Sequence, residues 1–157
     1  MNLIAKLMVA SALTALSVPA SAADDPRVSA EIMGIARAQW AAEQAGRPVS
    51  EQMSAIADDY TEFNGDHPTR LDGKAMNSRL YQAWSDGPKT LVGDMMNAKV
   101  QTYGDTAVLT YNYVGLSRAK DGKITPSNAK STRVYAKQNG RWLLVHANFA
   151  PVMNSAD

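Results

Sequence analysis

The chain has 157 residues, with 16 Lys+Arg against 15 Asp+Glu, two His, no Cys and a hydrophobic content of 45%. That length suits one compact domain. The near-zero charge excludes a broad basic nucleic-acid surface, and the absence of Cys excludes disulfides, thiolate metal sites and Cys nucleophiles.

Residues 1–22 read as a signal peptide that is removed from the mature protein. Lys6 precedes an apolar run from Leu7 to Leu16, Pro19 breaks it, and Ala20-Ser21-Ala22 offers the small-x-small site of a signal peptidase. The run is shorter than the ~20 apolar residues of a membrane span, and Asp24-Asp25 follows closely. The expectation is a periplasmic or secreted bacterial protein, free of the membrane after cleavage, with one mature domain over residues 23–157.

Helical signals come first in that domain. Asp25-Pro26 reads as an N-cap followed by Pro at the first helical position. Val28, Ile32, Ile35 or Ala36, and Trp40 then recur at helical spacing, until Gly46-Arg47-Pro48 ends the helix. Ser50 caps a short second helix whose Met53, Ile56, Ala57 and Tyr60 form a stripe. Asp58 to Phe63 is short and aromatic and reads as a strand, followed by the polar loop Asn64 to Pro68. Asp72-Gly73 starts a third helix, with Met76, Leu80 and Trp84 spaced by four and Gly87-Pro88 as its stop.

The C-terminal half changes character. Gly104-Asp105, Asp121-Gly122 and Asn139-Gly140 are dipeptides that supply positive φ for tight hairpins. They separate four β-rich runs, roughly 90–103, 106–119, 125–138 and 141–150. Consecutive hairpins give an antiparallel meander, and strands this long must twist and coil into a half-barrel that needs a cover. The fold class is therefore α+β: a cone-shaped, curled antiparallel sheet, a four-strand meander plus a short strand, covered by three N-terminal helices.

This element order resembles the nuclear transport factor 2-like superfamily, which includes SnoaL-like and ketosteroid-isomerase-like proteins. The stretch Ser131-Thr132-Arg133-Val134-Tyr135, then Asn139 to Asn148, resembles the association (hub) domain of calcium/calmodulin-dependent protein kinase II and its bacterial relatives. Asn97, Val100 and the first two hairpin turns also fall where that family has similar residues, so the resemblance spans about 28–152. Two departures stand out. His146-Ala147-Asn148 lacks the second imidazole of the family's Val-His-x-His, and a second pocket arginine falls at Tyr113. The resemblance implies self-association, as a homodimer or larger assembly, around an internal pocket.

Strand alternation sets the faces of that pocket. Ser131, Arg133, Tyr135 and Lys137 share one side, and Trp142, Leu144, His146 and Asn148 share one side of the last strand. With the resemblance, Arg133, His146 and Asn148 point into the cone, lined by Tyr111 and Tyr113, with Tyr60 and Trp84 adding aromatic surface. A guanidinium there needs an anionic ligand or a protein partner, for which Asp58, Asp59 and Glu62 are the candidates. His146, Asp58 and Asp59 are the candidate catalytic groups, His146 because its ordinary pKa suits proton transfer. His67, in Asp66-His67-Pro68, reads as solvated. No dinucleotide, phosphate-loop or metal-ligand motif is present, so no cofactor and no metal is implied.

Two functions remain open. One is an exported, homo-oligomerising domain that binds a small organic molecule, anionic if Arg133 faces it. The other is an isomerase, cyclase or lyase using a pocket His or Asp as base. The second face of the sheet carries Val134, Ala136, Leu143, Val145, Ala147 and Phe149 by the same alternation and suits a homodimer contact.

Overall fold

The computed structural model describes residues 25–84 and 86–152, so the signal-peptide expectation for 1–22 lies outside the described residues. Helix α1 (Pro26–Gln44) starts where Asp25 accepts a hydrogen bond from the Arg27 amide at 2.8 Å, with Pro26 in its first turn. Its apolar stripe buries Ile32, Ala36 and Trp40. The second helix, α2 (Val49–Gln52), is a single turn. The stripe assigned to it divides at Met53: Ile56, Ala57 and Tyr60 are buried from strand β1 (Ile56–Phe63) instead.

A two-residue strand, β2 (Leu71–Asp72), precedes α3 (Lys74–Ala83), which Gly73 opens at φ 86°. The expected stripe of α3 is rotated. Met76 and Trp84 are exposed, and the buried residue is Asn77. A polar residue can take that place because its Nδ2 donates to the Gly73 carbonyl at 3.2 Å.

Strands β3 (Lys89–Tyr103), β4 (Thr106–Arg118), β5 (Ile124–Gln138) and β6 (Arg141–Pro151) form the expected meander. Asn139 and Gly140, at φ 51° and 78°, provide the two left-handed residues of the last hairpin. The curled sheet runs β2-β1-β6-β5-β4-β3, and β1 joins β6 in parallel. Helix α1 packs across β3 and β4, α3 packs on β1, and the core lies between them and the concave face. Tyr113 lies over Gly93 and Gly115, where an added Cβ would sit 2.5 Å and 2.7 Å from its hydroxyl oxygen.

One irregularity decides which side chains reach the cone. Tyr135 pairs with Leu144, but Val134 pairs with His146, so Val145 is an extra residue in β6. A bulge inverts the alternation beyond it. Trp142 and Leu144 face inward before it, and Ala147 faces inward opposite Arg133 after it, fully buried. Phe149 follows onto the concave side and packs against the core. Ala147 and Phe149 therefore do not belong to the outer face, whereas Val134, Ala136, Leu143 and Val145 stay there, half-buried.

Candidate functional site

Arg133 sits on the concave face as the alternation in β5 requires, 3% exposed. Its Nε donates to the Tyr111 hydroxyl at 3.0 Å and its Nη1 to Gln39 Oε1 at 2.7 Å. The guanidinium carbon lies 5.6 Å from the Trp40 ring centre and 5.2 Å from that of Phe149. Among the described residues no carboxylate forms an ion pair with it. The expected partners Asp58 and Asp59 are exposed on β1, and Glu62 is buried but makes no direct contact with Arg133.

Counter-charge reaches Arg133 through an amide. Gln39 Nε2 donates to Glu43 Oε1 at 2.9 Å, so Gln39 accepts from the guanidinium at one end and donates to a carboxylate at the other. This relay fixes the orientation of the Gln39 amide. Burial pushes the Glu43 carboxyl above its ordinary value; Arg133 and the Gln39 hydrogen bond pull it down, and Glu62 adds to the rise.

Glu62, 5% exposed, accepts from the Tyr60 hydroxyl at 2.7 Å on Oε2 and from Asn64 on Oε1. Burial, and then the Glu62 charge, push the Tyr60 hydroxyl up, which keeps it a donor. Burial and the charges of Glu43 and Glu62 do the same to Tyr81.

These groups line a cleft of about 400 Å³ between α1, α3 and the end of the sheet, with Glu43, Glu62, Asn77, Tyr81, Trp84 and Phe149 in its walls. Glu62, Asn77, Tyr81 and Phe149 also line a far smaller space of about 10 Å³ beside Arg133, so the arginine stands behind the cleft wall. The Asn77 Oδ1 is buried without a hydrogen-bond partner. At the mouth the His67 and Trp84 rings stack, 5.5 Å apart and 8° from parallel, so His67 is part of the rim and not fully solvated.

The remaining expected site residues separate. Tyr111 and Tyr113 lie on the concave side against Trp40, at 5.7 Å and 5.3 Å between ring centres, and Tyr60 is in the core. Trp84 is at the cleft, half-exposed. His146 and Asn148 are on the opposite face of the sheet, put there by the extra residue Val145. His146 Nδ1 shares a 2.8 Å hydrogen bond with the Thr61 hydroxyl, and Asn148 lines a shallow outer groove with Asn97, Asn112 and Lys130. Asp58 and Asp59 flank another surface hollow, beside Lys74 and Arg141. The buried or partly buried carboxylates on the cleft side of the cone are, among the described residues, those of Glu43 and Glu62. Among the described residues no group of three or more His, Asp or Glu is arranged to hold a metal ion.

Glu43 and Glu62 each had a signal in the chain. Glu43 extends the α1 stripe through Ile32, Ala36, Trp40 and Gln39, and Glu62 alternates with the buried Tyr60.

Residues 51–152 match the family described as the calcium/calmodulin dependent protein kinase II association domain. None of the curated proteins matches the sequence. Among solved structures, the association domain of the Caenorhabditis elegans kinase is similar, with a TM-score of 0.67 at 19% identity over 80% of this chain and 96% of that one. A ketosteroid isomerase-like protein from Erwinia carotovora atroseptica has a TM-score of 0.67, with 19% identity over 80% and 96%. A nuclear transport factor 2-like protein from Pseudomonas putida has a TM-score of 0.69, with 16% identity over 84% and 92%. At such identities the likeness is one of fold. With well over half of its length matched, the chain belongs to the calcium/calmodulin-dependent protein kinase II association domain family.

Proposed function

We propose that this chain is an exported, self-associating domain that binds a small organic molecule in the cleft between α1, α3 and the sheet. The observation that carries the binding reading is the cleft itself. Its volume of about 400 Å³ falls within the range of small-molecule sites, and its walls combine aromatic rings with a few convergent polar groups. Differential scanning fluorimetry against a panel of small amines, carboxylates and alcohols tests it. Stabilisation of the fold by at least one class is expected, since a ligand at a hundred times its dissociation constant adds about 2.7 kcal/mol. A panel without effect contradicts it.

Self-association rests on the outer face of the sheet. Val92, Met96, Val114, Leu116 and Ile124 are exposed there at one end of β3, β4 and β5. Exposed apolar side chains grouped in this way, with Asp94 and Asn112 between them, favour burial against a second copy. The family's description as an association domain agrees with this reading. Light scattering at micromolar concentration should report a dimer or larger assembly, and Leu116→Lys with Val92→Lys should reduce it to monomer. A wild-type monomer contradicts self-association.

Export rests on the leader-like pattern of residues 1–22. Amino-terminal sequencing of protein from its native host should begin at residue 23 or 24; a full-length product contradicts it.

A further inference from the structure

The charged groups that line the cleft are mostly acceptors, with Glu43, Glu62 and Asp66 against the single ammonium of Lys89. Glu62 presents a buried carboxylate and Glu43 a partly buried one. Asn77, 1% exposed, turns its Nδ2 back to the Gly73 carbonyl and keeps an Oδ1 with no partner. The reverse amide orientation would set two oxygens against each other, so the chemistry of the neighbour fixes which atom is left over. A buried acceptor without a donor is costly, and few are tolerated in a folded chain.

Three of the nearby donors are already used. The Tyr60 hydroxyl and the Asn64 amide both donate to Glu62, and Gln39 donates to Glu43. Arg133 is withdrawn behind the wall, with Nε and Nη1 on Tyr111 and Gln39. A carboxylate in this cleft would face three carboxylates, Glu43, Glu62 and Asp66, against one lining cation, Lys89. An occupant that brings N–H donors and a positive charge satisfies the same atoms directly. The rings of Tyr81, Phe149 and Trp84 form the cleft's aromatic walls, and aromatic faces attract cations.

We propose that the cleft takes a small organic ammonium ion, its N–H donors meeting Glu43, Glu62 and Asn77 and its apolar body lying along Tyr81, Phe149 and Trp84. This assignment of ligand class rests on the small-molecule-binding reading above. A polyol fits less well, because each hydroxyl also brings lone pairs that need donors.

The test compares three probes of similar shape: 2-phenylethylammonium, 3-phenylpropionate and 2-phenylethanol, each titrated calorimetrically into the full domain. The ammonium should bind at least tenfold more tightly than the other two. Glu62→Gln and Glu43→Gln should each weaken it about tenfold or more, since a charge partner is removed while shape is kept. Trp84→Ala provides a second check on an exposed wall residue whose loss leaves the core intact, and it too should weaken the ammonium. Ammonium binding unchanged in all three variants overturns the proposal, because the site then lies elsewhere. Binding of the carboxylate or the alcohol in preference to the ammonium overturns the ligand class but leaves the binding reading standing. No binding by any probe, with no hit in the wider panel, overturns both.

Discussion

Replacing Arg133 with Met removes a buried cation whose compensation is indirect. Two hydrogen bonds are lost, to the Tyr111 hydroxyl at 3.0 Å and to Gln39 Oε1 at 2.7 Å. Bonds to a charged group contribute about 1.5–3 kcal/mol each, and both acceptors stay buried or partly so. Met recovers part of this by packing between Trp40 and Phe149 without the desolvation cost of a guanidinium. The net expectation is a loss of about 3 kcal/mol, roughly 10 °C in Tm for a domain of this size.

The deficit should also depend on pH. Glu43 faces Arg133 and Gln39, with Glu62 and Tyr81 across the cleft, and its carboxyl is already raised above the ordinary 4.5 by burial. An acid raised in the folded state holds more protons there than in the unfolded chain. Stability then falls as pH rises through and above the unfolded value. Without Arg133 the charged form of Glu43 is disfavoured further, so the variant should lose more stability at pH 7.5 than at pH 4.5. Thermal melts followed by near-ultraviolet circular dichroism at both pH values read this out. An Arg133→Met protein as stable as wild type, or a deficit equal at both pH values, would refute the electrostatic coupling of Arg133 to the cleft carboxylates.

Glu43→Gln should flatten the decline of wild-type stability between pH 4.5 and 7.5, since the group with the raised folded value is gone; an unchanged pH profile counts against it. Gly93→Ala places a Cβ 2.5 Å from the Tyr113 hydroxyl oxygen and should cost about 1–3 kcal/mol in denaturant melts. Combining it with Tyr113→Leu should remove most of that additional cost, and strict additivity would point to another cause. His146→Ala should leave ammonium binding within twofold of wild type, because His146 bonds Thr61 on the outer face; loss of binding would contradict that placement.

The meander was legible because its turns are chemically marked. Gly104, Gly122, Asn139 and Gly140 all adopt the positive φ that their residue types suggest. The start of α1 was equally legible from Asp25 and Pro26. Arg133 was placed correctly on the concave side because β5 alternates without interruption as far as Tyr135. The bulge in β6 was not legible: Val145 sits among Leu144 and His146 with no Gly or Pro to mark it, and its cause lies in the pairing with β5. One extra residue was enough to exchange His146 and Asn148 for Ala147 and Phe149. The rotation of α3 was hidden for a related reason. Asn77 is buried by a hydrogen bond to Gly73, which a hydrophobic periodicity does not register. The parallel pairing of β1 with β6 joins residues far apart in the chain and has no local signature.

The central claim, that the open cleft with its carboxylates is the binding site, is tested most directly by nuclear magnetic resonance of the tryptophan indole N–H groups during titration with 2-phenylethylammonium. Trp84 lines the cleft, whereas Trp142 is buried in β6 and does not line it. A saturable shift of the Trp84 indole, with Trp142 unmoved and the response lost in Glu62→Gln, is the expected result. Saturable binding that leaves the Trp84 indole unchanged would contradict it.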